Sequence, residues 1–383
     1  MAEPPPPPGP PPFLTAPRRR ALSALWLGSA ALAMAALAGE LWLRVDHARA
    51  VRASERVRAT NVFFANSMEL NAGNRSLWRK PWRKYEPGAR AEVVAGGERF
   101  VIEINRLGYR TREFSPEKPE GTARVLCIGG STTVAGRTND ETYPALLEAG
   151  LRRRFPGRSL EVLNLGVSGV TTEQWLEWLD KLFSYEPDVI VQYQAINDIS
   201  WLHLPARAGE RPGERRFRES LLLERLLGFD PAVLDPGIRG TLRRFGEMND
   251  RCRARGVAYL TATFAAPDAS RASPEVRRHL DANTVFWTRH FPIRSYPAWA
   301  AILARHNAQL VDFAEGRGVP LVLVHEQLAD PGLFIDVCHF TPEGIGRLAE
   351  AFLPAVAERL DHLPWGKEGR PPGDPHATAG APR

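Results

Sequence analysis

The stretch 124–137, RVLCIGGSTTVAGR, decides how this chain reads. Val125, Leu126, Cys127 and Ile128 form a short apolar run rich in strand formers, the mark of a buried strand. Gly129 and Gly130 end it, and hydroxyl side chains follow at Ser131, Thr132 and Thr133. A buried strand that stops at glycines and presents a serine puts that hydroxyl at the carboxyl edge of a sheet, where open α/β folds bind ligands. Glycines there also let a ligand or another backbone come close. A tight strand-to-helix turn with a capping serine accounts for the same residues. Two other glycine motifs fail. A phosphate-binding loop needs four residues between its glycines and then Lys-Ser/Thr, whereas Gly130 and Gly136 enclose five and Arg137-Thr138 follows. The G-x-S-x-G elbow needs glycine where Thr133 stands.

Outward from this stretch the chain alternates. Helical patterns cover 143–154, 171–183, 238–255, 296–317 and 341–360, the last with Pro342 in its first turn. Strand patterns cover 160–165, 187–193, 257–264 and 319–324. About five short strands separated by helices predict a parallel sheet covered on both faces, a flavodoxin-like three-layer α/β/α sandwich. Segments 203–235 and 267–295 read as insertions, with Trp201, Phe286, Trp287 and Phe291 as pocket or lid residues. Residues 99–104 alternate like a strand and turn through Gly108.

With 383 residues the chain can hold one large domain or two, and 44% hydrophobic with 25% charged residues is an ordinary globular balance. The net charge of +6 comes mostly from scattered arginine, with no basic stripe interleaved with aromatics, which argues against nucleic acid as a partner. Three cysteines without a CxxC pair supply neither a disulfide framework nor a zinc motif.

Residues 1–20 are a proline-rich tail, expected to be disordered. Residues 21–43 follow Arg18, Arg19 and Arg20 and carry no charge until Glu40. At 1.5 Å per residue, about 20 apolar residues span a bilayer core. The run exceeds the usual 7–15 residues of a signal peptide, so it reads as an uncleaved single-pass anchor, although 36–39 (ALAG) has the small residues of a cleavage site. A literal arginine count favours a cytoplasmic C-terminal side. The triplet flanking the helix and the ready translocation of long domains favour a short cytoplasmic tail with the large domain outside. Residues 44–121 read as a juxtamembrane lead-in without a core, with Trp78, Trp82 and Tyr85 placed near the membrane surface. The α/β domain covers 122–363, and 364–383 is a Gly/Pro-rich tail, also expected to be disordered.

Three further segments fall at strand ends. They are NLGVSGVTT at 164–172, AIND at 195–198, and DVCH at 336–339 with Thr341-Pro342-Glu343-Gly344 opening the last helix. Singly, each has a plain explanation: turn glycines, a helix cap at Asn197-Asp198, a satisfied loop histidine. Together they resemble the SGNH/GDSL hydrolases, whose blocks carry Ser, Gly, Asn and His in this order. The resemblance covers roughly 124–360 and is closest to the GGST-type branch, also through NRLGYR at 105–110. It implies a Ser131 nucleophile, an Asp336–His339 acid/base pair, and oxyanion donors at Ser131, Gly169 and Asn197. Two positions depart from the commoner pattern: Gly130 stands for aspartate, and Ala195 for the glycine of G-x-N-D.

The chemistry agrees with that assignment. A serine hydroxyl needs a base, and histidine is the side chain suited to the task. A carboxylate holds the imidazole in the required tautomer, and preorganised N–H groups stabilise the oxyanion. Cys338 is the rival nucleophile, but neighbours on an extended chain point apart. A metal at Asp336 and His339 lacks a third ligand, because His290 and His325 sit in separate segments. The reading is a serine esterase acting on carboxylic esters, including acylated glycans or lipids, with no cofactor and no metal. The alternatives are an O-acyltransferase with the same triad and an inactive glycan-binding domain.

Overall fold

The computed structural model of the chain describes residues 16–59, 85–95, 98–203, 222, 226, 230–288, 293 and 295–363. The extreme N-terminal proline tract, the tail 364–383, Trp78, Trp82, His290, Phe291 and most of the insertion 203–235 lie outside them. The chain divides into two compact units, Met1–Ala50 with Ser220–Gly228, and Val51–Glu219 with Phe229–Arg383.

The first element, α1 (Ala16–Ala59), is continuous through the predicted 21–43 span. Within it Ser23–Ala53, at mean hydropathy 1.5, is long and apolar enough to cross a membrane. Glu40, the charge that interrupts the apolar run, is not left alone. Arg44 pairs with it at 2.7 Å, and the Leu222 N–H donates to it at 2.9 Å.

The larger unit is built on β3 (Thr122–Gly129), β4 (Ser159–Asn164), β5 (Val189–Tyr193), β6 (Ala258–Ala262) and β7 (Leu321–Val322). All pairings are parallel and the order is β4-β3-β5-β6-β7. This is the 2-1-3-4-5 order of flavodoxin-like sheets, whose ligand crevice opens at the switch point beside the first strand. Here that point lies between β3 and β5, the strands that lead to Ser131 and Asn197. Every residue of β3 and β5 is buried, as expected where helices cover both faces and strands carry continuous apolar runs.

The covering helices follow from the alternation of side chains along β5. Tyr193 meets the Phe352 ring at 5.9 Å, while its neighbour Gln192 donates to Thr172 Oγ1 on the other face at 3.2 Å. On the Tyr193 face, α2 (Tyr143–Arg154) packs against α3 (Pro342–Asp361), with Tyr143 and Phe352 stacked at 5.5 Å. On the Gln192 face, α4 (Thr172–Glu177) and α5 (Tyr296–Arg317) pack against α6 (Asp235–Arg253).

Three features differ from the sequence reading. The predicted helix 171–183 breaks at Trp178 (φ −92°, ψ 2°) into α4 and a second turn, Leu179–Phe183. The segment 267–295 contains a 14-residue helix, α7 (Pro274–Trp287), started by Ser273, which accepts the Val276 N–H. The strand expected at 99–104 is half of an antiparallel hairpin, β1 (Arg90–Ala95) with β2 (Glu98–Glu103), in register Ala95↔Glu98. Tyr85 is also corrected: it is 1% exposed and shares a buried cluster with Ile102, Ile104 and Val134. An aromatic ring gains more from this burial than from an interfacial position, since its hydroxyl finds partners there as well.

Candidate active site

Ser131 opens a single helical turn, Ser131–Val134, directly after β3. Its Oγ lies 2.9 Å from His339 Nε2, although 208 residues separate the two. His339 Nδ1 lies 2.7 Å from Asp336 Oδ2, and both side chains are fully buried. Asp336 Oδ1 accepts the N–H groups of Cys338 at 2.8 Å and His339 at 2.7 Å, so the loop closes on its own carboxylate. A second tie runs from Ile335 N–H to the His339 carbonyl at 2.9 Å. With Nδ1 facing a carboxylate, the tautomer these bonds assign carries its proton on Nδ1 and offers Nε2 as an acceptor to the serine hydroxyl. Burial by itself would push the Asp336 carboxyl up. The His339 ring and the two backbone donors outweigh it and hold that carboxyl below its usual range.

Gly169 and Asn197 come to the same edge. The Val167 N–H donates to the Gly129 carbonyl at 3.0 Å, and the Val170 carbonyl accepts from Asn197 Nδ2 at 2.9 Å and Gln194 Nε2 at 2.8 Å. Gly169, between these two ties, has φ 76°, a left-handed backbone that disfavours any side chain. Neither its N–H nor that of Ser131 has an acceptor among the described residues.

The two departures from the commoner motif now have physical accounts. A Cβ at Gly130 would fall 2.4 Å from Asn197 Nδ2, so a side chain there is incompatible with the amide in this place. Ala195 has φ −163°, outside the left-handed region that favours glycine.

The residues that lock this arrangement were not singled out in the sequence. Asp198, expected as a cap of its own turn, instead reaches across to α4. It accepts the Thr172 N–H and the Thr172 hydroxyl, each at 2.7 Å. Behind them Gln192 donates to Thr172 Oγ1, and the Tyr259 hydroxyl donates to Gln192 Oε1 at 2.6 Å. Every donor in this row points toward Asp198. Its carboxyl is nevertheless pushed up to about 6, because burial outweighs the Thr172 bonds. The Asp in A-I-N-D was the available signal, but its partner 26 residues away was not.

Cys338 corrects an expectation. Its Sγ lies 3.4 Å from His339 Nδ1, because residues 335–338 form a bend and not the extended chain in which neighbours point apart. It therefore faces the Asp336 side of the imidazole and leaves Nε2 to Ser131. Burial pushes its thiol well up, so it stays protonated. Cys338 also supplies the third donor atom near Asp336 and His339 that the sequence did not reveal. The ligand atoms of these three buried residues lie within 4.8 Å of one another, and Nδ1 is bonded to Asp336. His325 is engaged elsewhere, with Nδ1 2.7 Å from Thr263 Oγ1.

Beside Ser131, Gln194, Ile196, Phe264 and Cys338 line a cavity with room for about one water molecule. Trp287, at the end of α7, places its ring 6.0 Å from that of His339. The side chains of Trp201 and Phe286 lie outside the described residues.

A flavodoxin-like sheet that brings a serine, a histidine and an aspartate together at its carboxyl edge has the arrangement of a nucleophilic acyl-transfer site. A sequence profile of the GDSL-like Lipase/Acylhydrolase family matches residues 127–345, more than half of the chain, and the chain belongs to that family. A comparison with curated proteins gave no significant match. Among solved structures the chain is similar to a lipase/acylhydrolase from Enterococcus faecalis (15% identity, 62% of this chain and 96% of that one, TM-score 0.39). It is also similar to a GDSL-like lipase from Bacteroides thetaiotaomicron (15%, 62% and 88%, TM-score 0.36). A third likeness is to a catalytic mutant of an acetylxylan esterase from Geobacillus stearothermophilus (16%, 61% and 94%, TM-score 0.39). Likenesses this distant carry no argument about substrate.

Proposed function

We propose that the chain is a membrane-anchored serine esterase that cleaves carboxylic esters, such as O-acyl groups on glycans or lipids, through an acyl-serine. The observation that carries this reading is the unbroken row from Ser131 Oγ through both His339 nitrogens to Asp336, with links of 2.9 and 2.7 Å. Ser131 Oγ attacks the ester carbonyl as His339 Nε2 takes its proton. Asp336 holds the ring and stabilises the imidazolium that forms. The tetrahedral oxyanion is held by the backbone N–H groups of Ser131 and Gly169 and by the second Nδ2 hydrogen of Asn197. Each such donor is worth about 3–4 kcal/mol. Collapse breaks the bond to the alcohol oxygen, which leaves with the proton from Nε2. Water then attacks the acyl-serine by the same route in reverse and releases the acid.

The test uses the full chain in detergent, with a panel of nitrophenyl and sugar esters of increasing acyl length. A fluorophosphonate probe should label the parent and fail to label Ser131→Ala, and ester turnover should disappear with the label. Turnover that survives in Ser131→Ala refutes the reading. Acyl groups appearing on an added sugar, in place of free acid, would move it to an O-acyltransferase using the same residues.

We place α1 in the membrane with the arginine triplet cytoplasmic and the α/β domain outside. The support is the apolar stretch Ser23–Ala53 behind those arginines. A C-terminal alkaline phosphatase fusion should be active. An inactive phosphatase beside a fluorescent cytoplasmic reporter reverses the orientation.

A further inference from the structure

Arg110 is 1% exposed, yet no carboxylate forms an ion pair with it among the described residues. Its guanidinium donates to neutral groups only. Nη1 reaches the Val134 carbonyl at 2.8 Å, Nη2 the Gly136 carbonyl at 2.9 Å, and Nε the Asn139 Oδ1 at 3.2 Å. Burial pushes it down to about 10, which leaves it a cation at neutral pH. A buried cation whose hydrogen bonds all go to carbonyls, with the Glu141 charge as its electrostatic support, is costly to place, so the position of those carbonyls matters. They lie at the end of the turn that Ser131 begins and just after it, where helical carbonyls have no partner of their own.

The same segment reaches the other wall of the site. Asn105 Oδ1 accepts the N–H groups of Leu107 and Tyr109, each at 3.0 Å, and its Nδ2 donates to the Arg112 carbonyl, so the turn 105–110 is rigid by itself. The Gly108 carbonyl in that turn accepts the Tyr85 N–H at 3.0 Å. The Tyr85 hydroxyl in turn accepts the Ser168 N–H at 3.1 Å and lies 3.1 Å from Ser168 Oγ. Ser168 immediately precedes Gly169. One turn thus ties down the backbone behind both N–H groups assigned to the oxyanion.

We propose that Arg110 and Tyr85 are positioning residues for the oxyanion site: Arg110 fixes the turn that begins at Ser131, and Tyr85 holds Ser168 by its N–H and hydroxyl, one residue before the Gly169 N–H. This rests on the esterase reading above. A brace that acts through the oxyanion donors should appear in transition-state stabilisation and leave ground-state binding alone.

The experiment measures kcat and KM for a nitrophenyl acetate on the full chain in detergent, normalised to fluorophosphonate-titrated sites. It also measures inhibition by a short alkyl boronic acid, whose anionic adduct mimics the tetrahedral intermediate. Tyr85→Phe keeps the buried ring and removes only the hydroxyl. It should lower kcat about tenfold, leave KM within about twofold, and weaken the boronate by the same factor as kcat. Arg110→Met should lose more, and Arg110→Lys should recover part of it, since an ammonium donates to carbonyls but lacks the rigid planar fork that holds these two in fixed positions. Tyr185→Phe, which removes a hydroxyl contact to Tyr109 remote from the serine turn, should change none of these values. Tyr85→Phe folds even where Arg110→Met does not. Unchanged kcat and boronate affinity in Tyr85→Phe overturn the proposal, whatever happens to its melting temperature. If Ser131→Ala retains turnover, the underlying esterase reading fails first and the brace fails with it.

Discussion

The loop around Asp336 and the turn around Asp198 each bury a carboxyl completely, and the two carboxyls are driven in opposite directions. At Asp336, burial is outweighed by a facing imidazole at 2.7 Å and by two backbone N–H groups from its own loop. At Asp198, burial wins over the Thr172 N–H and hydroxyl, and the carboxyl gives up its proton only near pH 6. The lesson is that depth does not set the charge of a buried acid; the charge and number of its partners do. The first region keeps an anion ready beside a histidine. The second joins α4 to the Asn197 turn and holds the site's framework.

That contrast can be broken most directly at the reactive pole. Ser131→Ala and His339→Ala should each lower kcat by about 10⁴–10⁶, and the double variant should be hardly worse than either, because neither group supplies nucleophilic catalysis without the other. Steady-state kinetics on titrated protein decides it, and additive losses would mean that the two do not act as a unit.

Next comes Asp336→Asn. It keeps the shape but removes the charge that orients and supports the imidazole, so kcat should fall about 10³–10⁴-fold. If the loss is no larger than for Asp198→Asn, the two regions do not differ in the way their partners indicate.

Asp198→Asn sharpens the other pole through stability. A carboxyl whose folded value is raised from 3.8 to about 6 favours the fold below pH 4, and that contribution is lost as pH rises to 6. The shift corresponds to about 3 kcal/mol. The variant cannot titrate, so its stability relative to the parent should climb by about 2–3 kcal/mol between pH 4 and pH 7, read from urea midpoints. Asp336 has the opposite sign: its depressed value supplies stability above the ordinary range, which is lost as pH falls through the folded value. A flat difference curve for Asp198→Asn would remove the contrast.

The smallest effect is expected at Cys338. Its thiol is neutral and lies against Nδ1, whereas Ser131 meets Nε2, so Cys338→Ser should keep kcat within about threefold. Abolished turnover here, with Ser131→Ala unaffected, would transfer the nucleophile to the thiol.

Much of the architecture was legible because its signals are local. The apolar run 125–128 ended by Gly129-Gly130 gave β3, and the bounds of Tyr143–Arg154 and Tyr296–Arg317 are those the apolar periodicity indicates. Two signals were present but unused. Ser273-Pro274-Glu275 is a helix-start signal, and Gly96-Gly97 between alternating runs is a hairpin signal in the sequence. Other features had no local signal. The Tyr85–Ser168 contact spans 83 residues, and the Arg110 bond to Val134 spans 24.

By itself, then, the amino-acid sequence determined the strands and helices, the parallel sheet and the chemical types brought to the strand ends in order. Hydrophobic periodicity and glycine punctuation act over a few residues, so they can be read one segment at a time. Only the tertiary structure decided which groups meet: His339 Nε2 against Ser131, Cys338 on the far side of the imidazole, Asp198 on α4, and Arg110 behind the serine turn. Hydrogen bonds and charge shifts depend on distances of a few ångströms between segments far apart in the chain, and those distances exist only once the sheet has assembled.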